Sequence, residues 1–263
     1  GATKYLNFSL ISSSVVFSHA TSVFAISGYM NFAILNSDTQ SAWAYKNSSM
    51  LESRLRYTPS DSFETFPFPP CLRPGHPLDE AERATRAALE RVGTAYYELR
   101  AALMRDLNLG LTKTYNLFHD AALDEAAVAK ALEKSGGTGT AADCLARLVR
   151  LRELHADMDR EVLKAYGWAS VDPKHGFYEL DFLPENDRVR YTICPEARRD
   201  VLERLLELNF QRHAEEAAKG VAPGKAGGGE EAAAGGVAAG EELAEPKKRG
   251  RKNAADGGTG ELF

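Results

Sequence analysis

The chain has 263 residues, a net charge of −5 and 26% charged side chains. That length accommodates one or two domains with a sizeable core. The acidic balance excludes a generic nucleic-acid binder, which is basic overall, so any DNA contact must be local or assisted from elsewhere. Three widely spaced cysteines, Cys71, Cys144 and Cys194, form no CxxC pair. They argue against a disulfide framework or a cysteine zinc site and for reduced thiols, as in the cytoplasm.

The first residues, Gly1-Ala2-Thr3-Lys4, include no initiator Met and no signal-peptide layout, and lead directly into strand-like sequence. The expectation is the C-terminal portion of a longer protein. Residues 4–26 predict two or three strands, with Tyr5, Phe8 and Leu10 alternating against Leu6, Ser9 and Ile11, and Val23 to Ile26 as a buried run. The apolar region 15–35 is interrupted by Ser18, His19, Ser22, Ser27 and Asn31, too polar for a membrane span of about 20 apolar residues. After Gly28 the spacing of Phe32, Leu35, Thr39, Ala42 and Trp43 predicts a helix over about 29–47, with Phe32 and Trp43 as core.

Residues 51–70 read LESRLRYTPSDSFETFPFPP. Leu55 and Tyr57 alternate with Arg54, Arg56 and Thr58 as a short strand, and Pro59-Ser60-Asp61 predicts a turn. Phe63, Phe66 and Phe68 are interleaved with Pro67, Pro69 and Pro70. Prolines bias that run to an extended path, and rigid aromatics on such a path dock onto another surface, here as a clasp between domains. Lys46, Arg54 and Arg56, with Lys4, are the cations nearest to this polar, aromatic-rich region. Arg54 and Arg56 point the same way on a strand, where they suit either phosphate contact or a solvated face.

From Pro77 the period becomes helical. Asp79 and Glu82 form a capping pair for a helix to about Leu107, stopped by Asn108-Leu109-Gly110. Short helices follow around 115–120 and 123–133. The glycine-rich run 135–140 lacks a preceding strand and a Walker lysine, so it reads as a linker. Thr140 caps a helix to Tyr166 with Gly167 as its stop. Two strands, 175–179 and 188–192, precede a last helix from Pro195 to about Ala218. Beyond Lys219 the Gly/Ala/Glu-rich sequence is expected to be disordered. It carries the basic cluster Lys247, Lys248, Arg249, Arg251 and Lys252, which resembles an AT-hook core and reads otherwise as a solvated charge run. The terminal Gly260-Glu261-Leu262-Phe263 resembles a sliding-clamp-binding peptide without its glutamine.

RYTPSDSFETFPFP resembles the segment closing the target-recognition region of large adenine-specific DNA methyltransferases of the Eco57I and MmeI-like restriction-modification type. KYLNFSLISSSVVFSHATSVFAI, AYYELRAALMRDLNLGLTKTYNLFHD, LRELHADMDREVLKAYGW and RYTICPEARRDVLERLLELNFQRHAEE are similar to other parts of that family's C-terminal region, in the same order, over about residues 3–216. The resemblance implies a parent enzyme that methylates adenine N6 with S-adenosylmethionine, with or without an N-terminal nuclease, in prokaryotic phage defence.

The catalytic chemistry itself is missing from these residues. No Asn or Asp precedes a Pro-Pro-Tyr/Phe loop to hold a flipped base, and Phe68-Pro69-Pro70-Cys71 is only an echo of one. A nuclease's Glu-x-Lys occurs only as Glu245-Pro246-Lys247. The histidines 19, 76, 119, 155, 175 and 213 show no metal-ligand spacing, and His155 with Asp159, four apart, reads as a helical surface pair.

The sequence therefore predicts an α+β protein. A short mixed β/α recognition segment (1–70) and a linker (71–76) precede a mainly helical domain with a small β-hairpin (77–218) and a disordered tail (219–263). It would be the DNA-recognition and scaffold part of an adenine methyltransferase, needing no cofactor of its own. Its expected partners are double-stranded DNA and the upstream methyltransferase domain, with no membrane, on the bacterial nucleoid. The alternative is a helical module that docks the methyltransferase to partner subunits without touching DNA.

Overall fold

The computed structural model describes residues 2–18, 21–51, 54–73 and 75–218. Among them are eight α-helices and two small antiparallel sheets, and 58% of the described residues are helical. The α+β expectation holds in this form. All described residues belong to one compact unit.

Strands β1 (Ala2–Thr3), β2 (Ser49–Leu51) and β3 (Arg54–Arg56) form a sheet in the order β1-β3-β2. Leu55 lies opposite Thr3 on one side and Met50 on the other. The two or three strands expected over 4–26 are not formed by the described residues of that stretch, and Val23, Ala25 and Ile26 are exposed. Alternation dictates which side chains share a face, but a strand also needs a ladder partner. Here side chains satisfy the backbone instead: the Phe8 N–H donates to Asn36 Oδ1 at 3.0 Å, and the Phe8 carbonyl accepts from Arg100 Nη2 at 2.8 Å. Phe8 and Phe24 meet the edge of the Tyr57 ring, with centroids 5.6 and 6.2 Å away.

The single helix expected over 29–47 is two helices, α1 (Tyr29–Asn36) and α2 (Asp38–Asn47). Ser37 between them is extended, its hydroxyl donating to the Ile34 carbonyl at 2.6 Å and accepting the Gln40 N–H at 3.3 Å. A serine cap of this kind ends one helix and starts the next without interrupting the apolar stripe. Phe32, Leu35, Thr39, Ala42 and Trp43 are all buried. Pro59–Ser62 forms a one-turn helix, α3, where a turn was expected, because Pro59 fits the first helical position.

The helical remainder follows its sequence signals to within about two residues, except that α5 starts at Leu111, earlier than the helix expected around 115–120. α4 (Glu80–Asp106) starts with the Asp79/Glu82 capping box and is followed by Asn108 in the left-handed region, φ 49°. α5 (Leu111–Phe118) and α6 (Glu125–Ser135) lead to a loop whose Thr138 and Gly139 N–H groups both donate to the Asp106 carbonyl, so it is a linker seated on the end of α4. α7 (Ala141–Ala165) is capped by Thr140, and Gly167 adopts φ 77° just beyond it. β4 (Gly176–Glu179) pairs with β5 (Val189–Thr192), placing Phe177 opposite Tyr191, and α8 (Pro195–Ala218) follows.

One apolar cluster joins α1, α4, α5, α7 and α8 through Phe32, Tyr96, Leu103, Phe118, Leu151, Met158 and Leu205. α1 approaches α4 closely at Gly93, where a Cβ would stand 2.2 Å from the Tyr29 carbonyl oxygen. A smaller cluster of Ala44, Leu55 and Tyr57 lies against the three-stranded sheet. The aromatic–proline run docks as its composition predicts. Phe66 packs against Trp43, and α8 supplies Asn209 Nδ2 to the Thr65 carbonyl and Arg212 Nη2 to the Phe68 carbonyl. No helix among the described residues is long and apolar enough to cross a membrane.

Candidate nucleic-acid interface and the network behind it

Strand β3 sets out the candidate surface. Arg54 and Arg56 are exposed on either side of Leu55, which is fully buried, so the two guanidinium groups share the outer face as the alternation predicts. Ser49 lies opposite Arg56, three residues after Lys46, which is exposed on the last turn of α2. Lys4 lies near this strand. It pairs with Asp187 at 3.1 Å and donates to Asn116 Oδ1 at 2.9 Å. Lys247, Lys248, Arg249, Arg251 and Lys252, and the Gly/Ala/Glu-rich tail that carries them, lie outside the described residues.

Two recesses flank this surface. A polar one of about 480 Å³ is lined by Thr3, Lys4, Arg54, Thr112, Asn186 and Asp187. The other, about 470 Å³, sits under the irregular N-terminal stretch, where Asn7, Ser9, Ser22 and Asn31 are set among apolar side chains that include Phe8 and Phe24. Hydroxyl and amide groups in such a setting suit base edges, with cations nearby to hold phosphates.

The structure also holds a buried polar network that local spacing did not reveal. His155 and Asp159 are not a surface pair: both are buried, Asp159 at 2% exposure. They meet Asp38, which α2 brings in from 121 positions earlier, its backbone N–H donating to Asp159 Oδ1 at 2.7 Å. His155 Nε2 stands 3.5 Å from Oδ2 of both Asp38 and Asp159. His175, on the approach to β4, reaches Asp159 Oδ2 at 2.7 Å, and the Ile193 N–H donates to Asp38 Oδ2 at 3.1 Å. Arg198 of α8 donates to Thr192 Oγ1, while its Nε and Nη1 have no partner among the described residues.

Burial alone would raise the Asp38 carboxyl, but His155, Arg198 and His175 outweigh it and hold the group well below the usual carboxylate range. Burial and the Asp38 charge raise Asp159. Burial works to lower His155, and the two carboxylates outweigh it and raise the imidazole. Nearby, His119 is pushed well below the ordinary histidine value by burial and then by Arg190, and its Nδ1 accepts the Tyr191 N–H at 3.1 Å. Cys71, Cys144 and Cys194 are free and buried.

The sheet, α1, α2, α3 and the aromatic–proline run all fall within the first 70 residues. Residues 2–70 match the family model of the MmeI target recognition domain. No curated protein and no solved structure matches the chain. The matched region contains Lys46, Arg54 and Arg56 together with Asp38 of the buried network, and it ends at Pro70, the close of the aromatic–proline run. A target recognition domain implies binding and sequence recognition of DNA, and the match is consistent with the C-terminal part of an MmeI-like restriction-modification enzyme.

Proposed function

We propose that the chain is the DNA-reading and scaffold part of a site-specific adenine-N6 methyltransferase of the restriction-modification type. The catalytic domain would lie upstream and hold S-adenosylmethionine, and the enzyme would act in phage defence on the bacterial nucleoid. Residues 2–70 would engage the duplex and residues 77–218 would brace them. The observation that carries this reading is the placement of Arg54 and Arg56 on one exposed strand face, above the buried Leu55, within the matched recognition domain. Guanidinium groups on a rigid strand are suited to phosphate contacts that fix register while neighbouring polar side chains read bases.

The test is binding of duplex DNA across a range of salt concentrations by the full chain and by a form ending at residue 218. Retained binding with a clear salt slope in the shorter form is expected. Replacing both Arg54 and Arg56 by Ala should then reduce the slope by about 2, near 0.9 per phosphate contact. Loss of all binding with the tail would instead make the basic cluster around Lys247–Lys252 the DNA contact. A folded protein that binds DNA in neither form would favour the docking-module alternative, for which the exposed Phe210 on α8 is a ready apolar contact.

A further inference from the structure

The geometry points to a divalent metal site, suited to Zn²⁺, formed by Asp38, His155 and Asp159 where the recognition domain meets α7. The three residues offer ligand atoms that all lie within 4.8 Å of one another. The decisive feature is the position of His155 Nε2, 3.5 Å from Oδ2 of each carboxylate. That separation is long for a good hydrogen bond to either. It is close to the edge of a tetrahedron drawn with metal–ligand bonds of about 2.0–2.1 Å, roughly 3.3–3.4 Å.

The outer contacts of the two carboxylates are those of prepared ligands. Asp38 Oδ2 is held by the Ile193 N–H, and Asp159 is held on Oδ1 by the Asp38 N–H and on Oδ2 by His175 Nε2. Such second contacts orient carboxylates for an ion. His155 Nδ1 has no partner among the described residues, so no acceptor there fixes the ring's tautomer. Imidazole with carboxylate is a donor set for Zn²⁺ and related first-row ions.

A second, independent observation lies on the open side. Asp38 and His155 line a small cavity of about 50 Å³ together with Arg198. Arg198 is 8% exposed, its guanidinium lies over the Phe182 ring, and its Nε and Nη1 have no hydrogen-bond partner among the described residues. The cavity exceeds the roughly 10–15 Å³ that one water needs. A hydroxide completing the ion's shell there would accept from the guanidinium. The spacing of these residues along the sequence hides the site, because its ligands come from two helices far apart in the chain. The inference stands whether or not the DNA reading does.

The experiment uses the full chain, stripped with chelator and dialysed, then titrated with Zn²⁺ and, separately, with Co²⁺. The expected result is about one equivalent of Zn²⁺ bound per chain, a rise in Tm with free Zn²⁺ as mass action requires, and visible absorption of low-symmetry Co²⁺. His155→Gln and Asp159→Asn should each weaken Zn²⁺ binding by ~10-fold or more and abolish the Tm rise, while His213→Gln, exposed on α8, should not. Absence of a Tm rise and of the Co²⁺ band in the unaltered chain would overturn the site, leaving a proton-sharing network. So would binding that survives both ligand substitutions. The unaltered-chain measurements decide the matter even if a variant fails to fold.

Discussion

Asp38 and Asp159 are joined by a hydrogen bond from the backbone of one to the side chain of the other, at 2.7 Å and across 121 positions of sequence. The bond fastens the first turn of α2, inside the matched region, to the C-terminal half of α7. Replacing Asp159 by Ala removes the acceptor of a buried backbone N–H and the partner of two buried imidazoles at once. Breaking a buried charged network in this way costs about 3–5 kcal/mol. Urea denaturation should show that loss as a lower midpoint with an unchanged m-value, and a change below about 1 kcal/mol would show that the network is not a structural tie.

Arg100 makes a prediction about the N-terminal stretch. It is 3% exposed, donates to the Phe8 carbonyl and Ser9 Oγ, and lies over the Phe32 ring. Arg100→Met keeps much of the stem's packing and removes every donor. Hydrogen exchange at residues 7–10 should quicken relative to α7, and stability should fall by about 2 kcal/mol, the scale of a charged hydrogen bond. Unchanged exchange there would mean that packing of Phe8 against Tyr57 holds the stretch unaided.

His119 contributes one pH dependence. Its folded value lies well below the ordinary one, from burial first and the Arg190 charge second. The unfolded chain, with its histidine near about 6.5, therefore binds a proton that the folded chain refuses. The stabilisation is fully present above about pH 6.5 and is lost as pH falls from there toward the folded value. The limiting slope is about 1.4 kcal/mol per pH unit. His119→Asn, which can still accept the Tyr191 N–H, should flatten stability between pH 6.5 and 5. A slope equal to that of the unaltered chain would assign the effect to another group.

The helices from Glu80 onward were legible because local rules and tertiary structure agree there. Asp79 with Glu82, Thr140 and Gly167 mark ends that the structure places within a residue or two. The stretch from Tyr5 to Ile26 was misread because its alternation is satisfied by packing, while Arg100 and Asn36 replace the ladder that a strand would need. The break at Ser37 was invisible for a related reason: the buried positions continue in phase across it. On β3 the exposed pair Arg54 and Arg56 could be read from alternation, which is strictly local. The buried meeting of Asp38, His155, Asp159 and His175 could not. Four apart on a helix is a surface spacing in isolation, and burial of that face follows only from how α2 and the loop before β4 lie on α7.

The grip of α8 on the aromatic–proline run bears on how portable the recognition domain is. Asn209 and Arg212, from the last described helix, hold the Thr65 and Phe68 carbonyls. A chimera that exchanges residues 2–70 between two such proteins therefore imports a segment whose final turn was shaped against a different α8. Swaps cut at Pro70 would inherit mismatched partners for the Thr65 and Phe68 carbonyls, whereas swaps that carry positions 209 and 212 along with residues 2–70 would transplant the matched region with its own brace.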